Sequence, residues 1–295
     1  MTLPVNFLKL TRIISLLALF GLLQACSAVK LAYNQAPELA YWYLDSYADF
    51  NSAQSLQVKQ ELVKLHMWHR QTQLPAYIDT LQKVQKLLPD DVTGPVACAV
   101  VDDVRRKLLA VSDQAEPAVG ALVDTMQAAQ LKQMERKFDK NNAAYREDYV
   151  NATAKDSYAK RYKQAVNRAE ILYGQLDEKQ LALITRQVEQ SRFNAALSYA
   201  ERLRRQQDTL QNLRAVIANP NPGEPTRKAV RALLERSVNS PNMAYRDYLD
   251  ALTQDGCKSF AELHNITSSE QRRKAVQTLN NYEKDIRTLS VQNKL

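Results

Sequence analysis

The sequence predicts an all-α protein: a multi-helix body with one long helix of about 40 residues. Three observations predict it. Only 6 glycines and 10 prolines occur in 295 residues, so helix breakers are scarce, while Ala, Leu, Gln, Arg and Lys, all good helix formers, are plentiful. Apolar residues recur every three or four positions through most of the chain, the spacing of one helix face. No alternation of apolar and polar residues lasts long enough to make a strand.

The chain opens with Lys9 and Arg12, the only charges in residues 1–25, followed by the apolar run Ile13 to Leu23. Crossing a bilayer takes about 20 apolar residues, so this shorter run reads as a secretory signal. Its end, Leu23-Gln24-Ala25-Cys26, resembles the lipobox of bacterial lipoproteins. That resemblance implies that Cys26 becomes the first mature residue and carries acyl chains, more than one of which makes anchoring stable. The alternative is an ordinary signal peptide with a chance Cys. Ser27, where an Asp would resemble an inner-membrane retention signal, points to the periplasmic side of the outer membrane, with the inner membrane as the alternative.

Residues 1–25 hold two of the 40 Lys and Arg and none of the 32 Asp and Glu, so the mature chain has a net charge of +6. In an envelope compartment such a charge faces lipopolysaccharide, anionic headgroups and cell-wall carboxylates, and nucleic acid is not an expected partner. The basic residues are interleaved with acids, which reads as a solvated mixed-charge surface. Cys98 and Cys257 remain after Cys26. An even pair in an oxidising compartment reads as a disulfide, closing a loop of roughly 160 residues and contributing about 4–5 kcal/mol by loop-closure entropy. The alternative is two buried thiols. There is no Cys-x-x-Cys to suggest redox chemistry.

Residues 26–35 form a tether, 36–218 a main helical domain, 219–225 a Pro/Gly linker, and 226–295 a C-terminal helical segment packing on the main domain. Pro37 suits a first helical turn, and Leu39, Tyr43 and Tyr47 share a face there. That stripe reads as core, with the lipid headgroup level as the alternative. Asn51 with Gln54, Asp177 with Gln180, and Thr267 with Glu270 read as helix caps, with Leu176 and Leu181 as a hydrophobic staple. Helices are predicted from Asn51 to Pro75, Leu74 to Leu88, and Pro95 to about Gln114. Glu116-Pro117 restarts the chain, a break falls at Asn141-Asn142, and a helix from Lys155 to Tyr173 stops at Gly174. The predicted long helix runs from Asp177 to Asn219. Beyond the linker come helices at Thr226–Val238, Pro241–Leu252 and Cys257–His264, and a last one from Thr267 carrying Ala275, Leu279, Tyr282, Ile286 and Leu289.

Chemistry-bearing patterns are few. His66-Met67-Trp68-His69-Arg70 places two histidines one turn apart, and His264 is the third and last in the chain. A three-His zinc site is one reading; a packed, hydrogen-bonded corner and a partner contact are the others. Gly-x-Ser-x-Gly, His-Glu-x-x-His and phosphate-loop motifs are missing, and no Glu is marked out for cell-wall cleavage. Arg202/Arg204/Arg205, Arg227/Lys228/Arg231 and Arg272/Arg273/Lys274 are basic clusters, either anion contacts or solvent-facing charge.

Cys26, Tyr41-Trp42, Trp68-His69-Arg70 and the ending from Thr267 to Leu289 together resemble a family of proteobacterial lipoproteins of unknown function, over most of the mature chain. The resemblance implies an all-helical, lipid-anchored body and brings no activity or site. A weaker likeness is to small helical periplasmic chaperones of the Spy/CpxP type, through Leu176-Asp177-Glu178-Lys179-Gln180 and Ile266-Thr267-Ser268-Ser269-Glu270. The expected function is an interaction, scaffold or chaperone-like binding protein with no cofactor beyond the lipid on Cys26. Its partners would be the membrane and an envelope protein or anionic envelope component. The competing expectation is a metal-dependent or cell-wall-acting hydrolase using the His66/His69 region.

Overall fold

The structure, a computed structural model, describes residues 29–292. The segment read as a signal and Cys26 lie outside the described residues. Eleven α-helices and two π-helical turns follow one another, with no strand among the described residues. They are α1 Ala36–Ala48, α2 Ser52–Trp68, a π turn His69–Gln73, α3 Leu74–Leu87, α4 Gly94–Val123 and α5 Ala128–Tyr145. A second π turn, Arg146–Val150, leads to α6 Ala154–Tyr173, α7 Glu178–Glu189, α8 Ala195–Ala218, α9 Glu224–Val238, α10 Met243–Asn265 and α11 Ser269–Val291.

Two cores form. One gathers Leu88, Tyr173, Leu176, Ile184, Val188, Leu263 and Ala275, so the end of α3 meets α6, α7, α10 and α11. The other gathers Val123, Met126, Leu131, Leu213 and Val230 where α4, α5, α8 and α9 converge. Helix α4 runs between them, packing on both α9 and α10, and a disulfide joins its Cys98 to Cys257 of α10 with Cα atoms 5.3 Å apart.

Capping glutamines knit the helix starts in pairs. Gln54 accepts from its cap residue Asn51 N at 3.2 Å, and Gln130 from Gln127 N at 3.0 Å. The two amides then bond each other, while Gln130 also donates to Ala48 O and Gln54 to Thr125 O. Gln180 and Gln271 repeat the arrangement, each accepting at its own helix start and bonding the other across it. A buried amide with all its valences used in this way costs little and fixes helix register.

A long helical stretch is present, but not where the spacing placed it. Ser52–Leu87 runs on for about 36 residues through the first π turn. The segment from Asp177 to Asn219 is instead two helices, because local side chains capture the backbone between them. Ser191 Oγ accepts from Phe193 N, and Asn194 caps α8 by accepting from Leu197 N, an alternative to helical bonding that these residue types offer.

Other expected boundaries also move. Pro117 lies inside α4, and Gly256 inside α10. At the first, α9 braces the proline turn: Glu116 is buried against Arg227 and Arg231, and Gly120 sits so close to Arg227 that an added Cβ would lie 2.8 Å from it. At the second, packing on α4 and the neighbouring Cys257 link hold the helix continuous across the glycine. There is no break at Asn141-Asn142; the Asn142 amide is buried and bonds Gln206 and Arg202 of α8. The last helix is capped by Ser268 with Gln271, one residue later than expected, because Thr267 donates its hydroxyl to His264 O instead. The caps at Asn51 and Asp177 and the stop at Gly174, whose φ is 78°, fall as predicted.

Candidate functional site

Of the residues singled out in the sequence, His66, Trp68, His69 and Arg70 gather where the chain's first described residues meet its last. Pro75 has no N–H to give. The preceding π turn absorbs this with one wider loop, Leu74 N bonding His69 O, which turns His69 and Arg70 inward. His69 Nδ1 lies 2.9 Å from Tyr33 Oη and its Nε2 lies 3.1 Å from Tyr77 Oη. Arg70 is buried and donates to Leu289 O at 3.2 Å, Gln292 O at 2.7 Å and Asn34 Oδ1 at 2.7 Å, its guanidinium 5.3 Å from the Tyr33 ring. It clamps the segment before α1, at Asn34, to the end of α11. His66 packs on the Tyr33 ring at 4.6 Å, and its Nε2 has no hydrogen-bond partner among the described residues. Trp68 is half-buried beside them.

Burial sets the protonation here. It pushes His69 below the ordinary imidazole value, and His66 too, there reinforced by the charge of Arg70. Burial also pushes Tyr33 up to about 12 against the pull of Arg70, and raises Tyr77. Neutral imidazole between two protonated phenols is a hydrogen-bonded corner.

His264 sits in the other half of the molecule. It has no exposure, Nε2 is 2.9 Å from Asp90 O, and Nδ1 is 2.9 Å from Tyr173 Oη. A carbonyl only accepts, so Nε2 carries the proton and Nδ1 accepts from the phenol. The structure therefore does not assemble the three-His arrangement: His264 is spent on the Asp90 turn, and no group of three His, Cys, Asp or Glu side chains suited to a metal forms among the described residues.

The basic clusters are largely consumed as well. Glu201 takes Arg204 and Arg205, Asp208 takes Arg204 and Arg236, Glu116 takes Arg227 and Arg231, and Arg272 meets Asp91. Arg231 holds the Glu116 carboxyl below its usual range, and Arg236 does the same for Asp208. Burial alone would raise Glu201, but its bonds from Arg204, Arg205 and Ser240 outweigh that and lower it. Lys228, Arg273 and Lys274 stay exposed.

Two surfaces were not legible from spacing. On α1, Tyr47 packs edge-on against Phe138, but Leu39, Trp42 and Tyr43 are 50–63% exposed, so the expected core stripe mostly faces outward. Among the described residues nothing covers that side of α1, because α2 and α5 pack on other faces, through Tyr41–Ser55 and Gln133–Ser46.

The larger surprise is a groove of about 830 Å³ walled by the end of α5, the second π turn, α6, α7 and α10. Tyr145, Tyr149, Phe193 and Phe260 line it, with Arg161 and Arg168 from α6 and no Asp or Glu among its lining residues. Arg161 Nη1 donates to Val188 O at 3.0 Å, its guanidinium lies 5.5 Å from the Phe193 ring, and its Nε is buried without a partner among the described residues. Phe193 reaches the groove only because the chain breaks between α7 and α8. The available signal was Asn194, a cap residue ahead of an Ala-Ala-Leu helix start.

These features define an all-helical body with an open, aromatic-lined concavity. Residues 46–237 match a family of unknown function, DUF6279, and the chain belongs to that family. The match takes in α2 to α9, including every groove wall but α10, and leaves α10 and α11 outside it. No curated protein and no solved structure matches the chain.

Proposed function

We propose that this protein is a lipid-anchored component of the bacterial envelope, held at the periplasmic side of the outer membrane through Cys26. Its body works by non-covalent binding, as an interaction, scaffold or chaperone-like protein, and not by chemistry. The observation that carries the binding reading is the open aromatic groove, set against histidines whose nitrogens are mostly bonded inside the fold. Concave, mostly apolar sites with a few placed polar groups are where proteins take ligands. A hydrolase using His66 and His69 has less behind it, since both His69 nitrogens already bond tyrosines.

The exposed Leu39, Trp42 and Tyr43 support the membrane placement. They begin 13 residues after the lipobox cysteine, and amphipathic aromatic rings favour the headgroup level. The test is site-specific photo-cross-linking in the native envelope. A photoreactive residue at Leu172, inside the groove, should capture a discrete adduct that the same residue at exposed Lys228 does not. Equal or absent capture at both positions would remove the groove from the function. Cys26→Ala should release the protein from the membrane fraction and abolish incorporation of labelled palmitate; retention with no label would refute the anchor alone.

A further inference from the structure

We infer that the groove between α6, α7 and α10 takes a single-chain anionic amphiphile, with its carboxylate or phosphate on Arg161 and Arg168 and its chain along the aromatic wall. The inference rests on the binding role proposed above and names the ligand class for that groove.

Three observations converge. First, the two arginines stand two helical turns apart on α6, and so on one face of it, in a groove without a lining carboxylate. Second, Arg161 is treated differently from six arginines of α8, α9 and α11. Arg204, Arg205, Arg227, Arg231, Arg236 and Arg272 each meet an Asp or Glu. Arg161 meets one backbone carbonyl and one aromatic face, and leaves a buried Nε–H unused. A buried donor without a partner costs about 1–3 kcal/mol, and an anionic head group on the groove side of this guanidinium would offset that cost with charge-assisted bonds to its open edge. The nearby Glu262 carboxylate does not serve: it accepts from Gln187 at 3.1 Å and pairs with Lys258. Third, most of the remaining wall is apolar or aromatic, from Ala165, Leu172, Ile184, Val188, Phe193 and Phe260, with the uncharged Gln164, Gln187, Ser191 and Ser259 between them, and about 830 Å³ is within the usual range for a small-ligand site. An apolar body with one anionic end fits both halves.

The experiment uses the full lipidated chain in its own membrane, so that no detergent competes. Three clickable diazirine probes of equal chain length are compared: a fatty carboxylate, a lysophosphatidate and the neutral fatty alcohol. Cross-linked peptides are mapped by mass spectrometry. The carboxylate or the phosphate probe should label peptides of α6, α7 or α10 at least tenfold more than the alcohol, and whichever dominates identifies the head group. Arg161→Gln should reduce that labelling about tenfold, while Arg161→Lys retains part of it. Ala165→Phe, which narrows the groove and keeps both charges, should block labelling in a protein whose disulfide and helicity are intact, so a folding defect in the Arg161 variants leaves the question decidable. Equal labelling by the alcohol, labels scattered over the surface, or an unchanged Arg161→Gln would overturn the inference. If the Leu172 photo-cross-linker captures a polypeptide while every lipid probe fails, the amphiphile falls and the wider binding role stands. If both come back empty, both fall.

Discussion

Arg70 and Arg161 occupy similar niches. Each guanidinium lies over an aromatic ring, at 5.3 Å from Tyr33 in one case and 5.5 Å from Phe193 in the other. The difference is in what remains of their hydrogen-bonding capacity. Arg70 is buried and spends itself on three oxygens from the first and last described residues, whereas Arg161 makes one such bond and opens onto a cavity. The histidines divide in the same sense, with His69 and His264 each bonded through both ring nitrogens. A functional group is thus better recognised by unspent valence beside open space than by its clustering in the sequence.

The largest expected effect tests how firmly the groove wall is held. Reducing the Cys98–Cys257 bond, with a sequence separation of 159, should lower the unfolding free energy by about 5 kcal/mol by loop-closure entropy. Urea denaturation with and without reductant measures it. Since α10 supplies one groove wall, ligand capture should fall with reduction while the Arg70 corner stays protected from hydrogen exchange. Loss of protection at both together would make the two regions one cooperative unit.

Arg70→Met comes next. It strands the Leu289 and Gln292 carbonyls and should cost about 3 kcal/mol, with the loss visible as fraying of α11. Arg161→Met gives up a single backbone bond and should cost less than about 1 kcal/mol. The reverse order in denaturant midpoints would refute the comparison.

Some of this was legible beforehand. The helical class, the caps at Asn51 and Asp177, and the stop at Gly174 depend on residues within a few positions of one another, so local spacing suffices. What failed depends on contacts far along the chain. Pro117 and Gly256 stay helical because α9 braces the one and α4 the other, and the partners in the two glutamine pairs lie 76 and 91 residues apart. The groove was the least legible of all. Its walls come from separate helices, and its one local trace, the Ser191–Asn194 break, carries neither Gly nor Pro.

A smaller effect concerns pH. Folded His69 and His264 titrate below the ordinary 6.5, chiefly through burial, and so does His66. As pH falls through 6.5 the unfolded chain takes up protons that the folded chain refuses, so stability is full above that value and declines below it. The depressed carboxyls Glu116 and Asp208 act later: their contribution is lost only below the ordinary 4.5 and 3.8. Unfolding midpoints should therefore fall between pH 7 and pH 5. His69→Gln and His264→Gln should flatten that slope, and Arg161→Met should leave it unchanged, because no guanidinium titrates there. A flat wild-type profile over this window would mean that the histidines are not buried as described.

The smallest stability effect, and the most informative about orientation, belongs to the outward face of α1. Trp42 is 60% exposed, so Trp42→Ala should move the unfolding midpoint by less than about 0.5 kcal/mol, unlike a change at either arginine. Its value lies in fluorescence, because the chain has two tryptophans and Trp68→Phe leaves Trp42 as the single reporter. On vesicles, the lipidated Trp68→Phe protein should emit further to the blue than in its detergent-free, unlipidated Cys26→Ala form, and brominated lipids should quench it. Red, unquenched emission on the membrane would turn this face away from the bilayer and leave it free for another macromolecule. A blue shift with quenching would place α1 in the headgroup layer. The exposed aromatic stripe of α1 would then be a membrane contact, and the groove a separate surface for another ligand.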